Sequence, residues 1–444
     1  MTVRRVERLL TQVREEIRAF RQNLSRLEAL DFSNPAPLKL IDQLRDEIAK
    51  IELKLGYVKQ FVVKPDRAVG MISSSHRQIA ARIPFLGYIE RAQTQHTPWS
   101  LIESIQDLAS AIIPAYSVII ASVDAHNYLV EWSSETNRLF LWLPRLHRLN
   151  VLWHTNIGHE LFHPALDPFF AEHLPTVAPS ITKACKEFLG KHGVSTDDSD
   201  LVGQERLDQL VSKALDIWQR GLSEILCDFG CAIIFGPAAM MALLSMAQCD
   251  DLDARPEGPQ YYPPWRFRFR MVRKRIGDDV RKFVKEQKDD KYFQAFSQTL
   301  DDFDAIAEKT DDKNQINAHP LCRIAYEQIE ATVEAGWQYV NGLVPSDVRR
   351  WGQTQEQVAR LLGRLEEGIP PSEVAQPGCA LSPQAADLSA ILVAGWVYES
   401  FWQTQERKDQ KYDYLTLMRL ILKGCEDAAL RRAYEKRPRK GGAE

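Results

Sequence analysis

The first sixty residues carry the clearest periodicity in the chain, and it leaves that stretch little choice of structure. Val3, Val6, Leu10, Val13, Ile17, Phe20, Leu24 and Leu27 follow one another at alternating spacings of three and four, which lays an apolar seam along one side of a helix. Asn34-Pro35-Ala36-Pro37 interrupts the pattern, and Ile41, Leu44, Ile48, Ile51, Leu55 and Val58 resume it. Two seams joined by a proline-containing turn read as an antiparallel, coiled-coil-like helical hairpin over 1–61. Such a hairpin can close on itself, dock on its own chain's core, or pair with a partner protein or a second copy. Packing within the chain is the default expectation.

Residues 62–98 are mixed and weakly patterned and read as a linker crossing the surface. From Trp99 the pattern turns globular. Leu101 to Ile113 read as a helix, and Tyr116 to Val123, Tyr128 to Trp132 and Arg138 to Leu143 read as strands rich in β-branched and aromatic residues. Asp124-Ala125-His126-Asn127 and Ser133-Ser134-Glu135-Thr136-Asn137 between them suit hairpin turns. Nearly everything after that reads helical, with breaks at Pro164, 195–199, 254–264, 311–320, Pro345 and 370–377. The expected fold class is mostly α with a small β-sheet (α+β). After the hairpin and linker come a mixed domain over 99–325 and a helical region over 326–444, the latter with long helices at Ala385 to Glu399 and Tyr412 to Glu435.

A net charge of −4 with 26% charged residues does not suit a nucleic-acid or membrane-surface binder. The basic run from Arg431 to Lys440 reads as a solvated end. Seven cysteines with no framework spacing fit a reducing compartment, so the expected localisation is cytoplasmic. Charge from Arg4 onward, with no apolar core segment, argues against a signal peptide. Phe229 to Gln248 carries no charge, but Gly236-Pro237 divides it, so it reads as two buried helices and no membrane span is expected.

Chemistry enters at His159-Glu160-Leu161-Phe162-His163. Residues four apart share a helix face, so both imidazoles point the same way, as two zinc ligands with Glu160 beside them as general base. The plain alternative is a helix with two exposed histidines. Ile157, Leu161 and Phe162 favour a packed helix, where unpaired polar groups are costly. A third ligand is needed, and Glu224 and Asp228, again four apart, supply a carboxylate for the metal and one to accept the other N–H of a ligating imidazole, His159 in particular. His154 is the nearest candidate for a fourth donor but reads as a packed residue. Cys227 and Cys231 lie four apart with no second pair to complete a thiolate site.

H-E-x-x-H followed by E-x-x-x-D resembles the gluzincin clan of zinc metallopeptidases. It is similar in spacing to the clan's prenyl-protein and heat-shock protease branch, which carries E-x-x-A-D and a later T-H-P-P. The resemblance covers about 100–280, without that branch's membrane helices. It implies a gluzincin-like core, with His159, His163 and Glu224 holding Zn2+ and Asp228 behind them. A Tyr or His downstream would steady the oxyanion: Tyr262 in Tyr261-Tyr262-Pro263-Pro264, or else His319 in Ala318-His319-Pro320. Pro164, directly after His163, is expected to end the helix early and to distort that ligand.

The expected activity is hydrolysis of a protein or peptide substrate by a zinc-dependent peptidase, an endopeptidase rather than an exopeptidase. In the clan an edge strand before the active-site helix pairs with extended substrate, and Leu139 to Leu143 is either that strand or a core strand. The segment between Pro164 and Leu222 is expected to act as a lid. The alternative function is a non-catalytic binding or scaffold protein acting through the hairpin and the C-terminal helices. The intact Glu160 favours the enzyme.

Overall fold

A computed structural model describes residues 3–435, apart from 33–34, 59–64, 94–98, 126–127, 134–135, 146–148, 197–199, 248–250, 255–261, 347, 349, 377–378 and 407. Tyr261, Cys249 and the basic tail beyond 435 therefore lie outside the described residues. The chain is mostly helical and divides into two compact units, Met1–Glu103 with Tyr116–Arg148, and Ser104–Ala115 with Leu149–Glu444.

The first unit begins with α1 (Val3–Glu28) and α2 (Ala36–Gly56), the helices that the seams require. From Val6 to Leu27 and from Ile41 to Val58 every seam residue is buried. Each fully buried aliphatic side chain there contributes about 1.5–3 kcal/mol. Their cover comes from the stretch that reads as a linker. It folds into α3 (Pro65–Ala80) and α4 (Ile83–Arg91), which bury Ala68, Ile72, Ile79 and Ile89 in the same core. Ile119, Ala121, Phe140 and Trp142 of the sheet join them. The hairpin seam is thus filled from within the unit. The buried cation, Arg138, is held by Glu47 at 3.0 Å and Gln43 at 3.1 Å.

After α5 (Trp99–Ile112) come β1 (Ser117–Val123), β2 (Leu129–Ser133) and β3 (Arg138–Pro144), in the order β1-β3-β2. β2 and β3 form the expected hairpin, Leu129 opposite Trp142, but β1 pairs with β3 in parallel, Ser117 beside Arg138. The turn expected at 124–127 therefore closes no hairpin. Burial explains the order: all of β3 and the middle of β1 are buried on both faces, whereas β2 is half exposed and takes an edge. Leu139 to Leu143 is accordingly the central strand. Both its hydrogen-bonding edges are taken, so the edge-strand role does not fall to it.

The second unit is built on α6 (Ile157–Phe162), α7 (Asp167–Lys191), α8 (Leu201–Phe235), α9 (Pro237–Ala247) and α10 (Trp265–Glu286). There follow α11 (Lys291–Glu308), α12 (Asp311–Ala318), α13 (Pro320–Leu343), α14 (Gln355–Glu367), the ribbon β4 (Glu373–Gln376) and β5 (Cys379–Ala385), α15 (Leu388–Thr404) and α16 (Tyr414–Glu435). α7 packs against α8 and α13 and buries Phe169, Phe170, Val177, Ile181, Cys185 and Leu189. Within the segment expected to be a lid, one face of α7 is therefore part of the core. Gly236 ends α8 at φ +51°, and Pro237 opens α9, so the uncharged run does form two buried helices. Among the described residues no helix is long and apolar enough to cross a membrane.

Candidate metal centre

Two glycines let α6 and α8 meet. A Cβ on Gly230 of α8 would stand 2.3 Å from the Phe162 ring, and one on Gly158 of α6 would stand 2.7 Å from Phe235. Each helix thus receives an aromatic ring from the other at a position where no side chain fits. The face of α6 bearing His159 and His163 is thereby laid on the face of α8 bearing Ser223, Glu224, Cys227 and Asp228. Pro164 does end α6 at Phe162, and a 3-10 turn follows over His163–Ala165. His163 nevertheless keeps helical torsions (φ −48°, ψ −53°), so its ring stays on the face of His159, 5.0 Å away between centroids.

The carboxylate of Glu224 receives both imidazoles. Its Oε2 lies 3.3 Å from His159 Nε2 and its Oε1 lies 3.7 Å from His163 Nε2. Glu160 Oε2 is 3.9 Å from His163 Nε2. On the far side of the rings, His159 Nδ1 meets Asp228 Oδ1 at 2.9 Å and His163 Nδ1 meets Ser223 Oγ at 3.1 Å. Asp228 in turn accepts two hydrogen bonds of 2.7 Å from Arg268 of α10, whose Nη1 also lies 3.4 Å from Glu224. Arg268 is stacked over Trp265 and buried.

The sequence gives Ser223 no role, and the arginines that follow Tyr262-Pro263-Pro264, Arg268 among them, serve there only to favour Tyr262 over His319. Ser223 has no signal beyond standing next to Glu224. Arg268 lies in the run Trp265-Arg266-Phe267-Arg268, where alternation with aromatics marks arginines that are not simply solvated.

The two downstream candidates separate. Tyr262 is 47% exposed, yet its hydroxyl feels the site: burial, then the charges of Glu224 and Glu160, push it up to about 12. His319 caps α13, its Nδ1 accepting the N–H of Cys322 at 3.4 Å, and among the described contacts none joins it to the two histidines. His154 is buried in the 3-10 turn that precedes α6.

Burial and pairing set the charge states. Burial works against a charged His159, but its hydrogen bonds to Asp228 and Glu224 outweigh this and raise it to about 10. Burial lifts Glu160 to about 7 despite the pull of His159 and drops His163 to about 4. Glu224 and Asp228 fall to about 2 although burial opposes it: hydrogen bonding to His159 lowers Glu224, and the Arg268 charge lowers Asp228. At neutral pH the charges of Arg268 and protonated His159 thus balance those of Glu224 and Asp228, and a cation bound at His159 Nε2 would have to displace a proton.

Buried imidazole and carboxylate donors suit zinc. Tetrahedral donors at zinc–ligand distances of 2.0–2.2 Å stand roughly 3.3–3.6 Å apart; Glu224 meets His159 Nε2 within that range, at 3.3 Å, and His163 Nε2 just outside it, at 3.7 Å. A further donor was not expected. His159, His163 and Cys227 each offer a ligand atom, all within 4.8 Å of one another. Compared with known proteins, the chain matches no family model, no curated protein and no solved structure.

Proposed function

We propose that the chain is a zinc-dependent peptidase of the gluzincin kind, acting within protein or peptide substrates, with its gluzincin-like core in the second unit. The observation that carries this reading is the meeting of His159 Nε2 and His163 Nε2 on one carboxylate, with Glu160 3.9 Å from His163. A structural ion has no use for that last carboxylate. Zinc, held by His159, His163 and Glu224, would supply the positive charge that acidifies a water and polarises a peptide carbonyl.

The rest is done by the protein. Glu160, held near 7 by burial, takes a proton from the attacking water and returns it to the departing amine. Asp228 and Ser223 hold the Nδ1 sides of the two rings, so that both Nε2 atoms face the ion. Tyr262 remains protonated at neutral pH and can donate to a developing oxyanion.

The test is Glu160→Gln. The variant keeps its zinc by metal analysis while cleavage of an unstructured peptide pool falls by roughly 10²–10⁴-fold. Cleavage at the parent rate would remove Glu160 as the base.

A further inference from the structure

Cys227 stands three residues after Glu224 and one before Asp228, at the centre of the α8 face that meets α6. Its side chain is wholly buried, and its sulfur shares a 4.8 Å sphere with a ring nitrogen of His159 and one of His163. The neighbouring thiol, Cys231, is turned away and donates to the carbonyl of Thr155 at 3.3 Å.

We propose that Cys227 is a protein donor to the ion, completing a set of His159, His163, Glu224 and Cys227. This inference rests on the metal reading above. A zinc site with four protein donors is closed, whereas a hydrolytic one keeps a position for water. The chain would therefore hold its ion in a closed, resting arrangement, and cleavage would require the sulfur to leave. Coordination exchanges the S–H bond for a sulfur–metal bond and releases the thiol proton to solvent. A soft thiolate also shifts the preference of the site toward zinc or cobalt over hard cations such as magnesium.

The experiment uses the full chain, reduced and metal-free, titrated with cobalt(II) and followed by absorption. Wild type is expected to show visible d–d bands together with a near-ultraviolet sulfur-to-cobalt charge-transfer band. Cys227→Ala should abolish the charge-transfer band and keep the d–d bands, and Cys231→Ala should keep both. If the Ala variant fails to fold by circular dichroism, Cys227→Ser, which preserves the side-chain shape, takes its place. Cobalt uptake with d–d bands and no charge-transfer band would overturn Cys227 as a donor while leaving the peptidase reading intact. A charge-transfer band that survives in the Cys227 variant would likewise overturn it. No cobalt uptake at all would overturn both.

Discussion

In the first unit the described inward side of α1 and α2 is apolar, and Arg138 is the one buried cation among the described residues there, tied to Glu47 and Gln43. Where α6 meets α8 in the second unit, His159, Glu224, Asp228 and Arg268 are all buried in one paired network. The first arrangement gains its free energy by removing apolar surface from water. The second forgoes part of that gain, since ion pairs of this kind are often no more stable than well-packed apolar side chains of the same volume. Helices that bury charge at a cost to stability mark the place where chemistry is expected, and apolar seams mark scaffolding.

That contrast can be broken at several points. The largest effect is expected from Glu224→Ala and His163→Ala, which should each strip most of the bound zinc measured by metal analysis after purification. Full retention in both would make the charged network purely structural. Leu44→Ala, in the hairpin core, should cost about 2–5 kcal/mol of stability by denaturant titration and leave zinc content unchanged. Gly230→Ala should cost less, about 1–3 kcal/mol, because a methyl group must displace the Phe162 ring, but it should also lower zinc content by pushing α6 off α8. Equal zinc content in these two variants would mean that the glycine contact does not position the ligands.

The smallest effect is graded with pH. In the metal-free protein His159 is raised to about 10, so its stabilising contribution is complete below its ordinary value of 6.5 and is lost as pH climbs through 10. The same proton must leave when zinc binds. Zinc affinity should therefore strengthen with rising pH by up to about tenfold per unit until His159 has titrated, and isothermal titration in buffers of different ionisation enthalpy should show net proton release. Below about 7 the proton on Glu160 adds to the count. Pure apolar packing, as in the hairpin, offers no such dependence.

The sequence is informative in different ways in the two regions. The seams of α1 and α2 are legible because one side of each helix is apolar without interruption. α3 escapes notice because Ser73-Ser74-Ser75-His76 interrupts its apolar face, leaving Ala68, Ile72 and Ile79 too sparse to read as a period. Strand existence follows from composition, but pairing does not: a run such as Val118 to Ala121 is equally apolar beside either neighbour. That His159 and His163 share one face, and Glu224 and Asp228 another, is readable from i,i+4 spacing because a helix fixes which side chains lie together. Arg268 and Ser223 are harder to find, since what they hold, Asp228 and His163, lies on other elements. His319 and Tyr262 look alike as downstream candidates until the fold makes one a helix cap and sets the other within reach of the charges of Glu160 and Glu224.

Asp228 accepts hydrogen bonds from two helices at once, from α6 through His159 and from α10 through Arg268. Every proposed zinc ligand precedes residue 228, so a shortened version of the second unit cut after α9 would contain them all. It would still bury the Asp228 carboxylate without its guanidinium, a loss of about 3–5 kcal/mol for a broken internal ion pair. Any excised fragment meant to test metal binding has to extend at least through Arg268, well past the last proposed ligand.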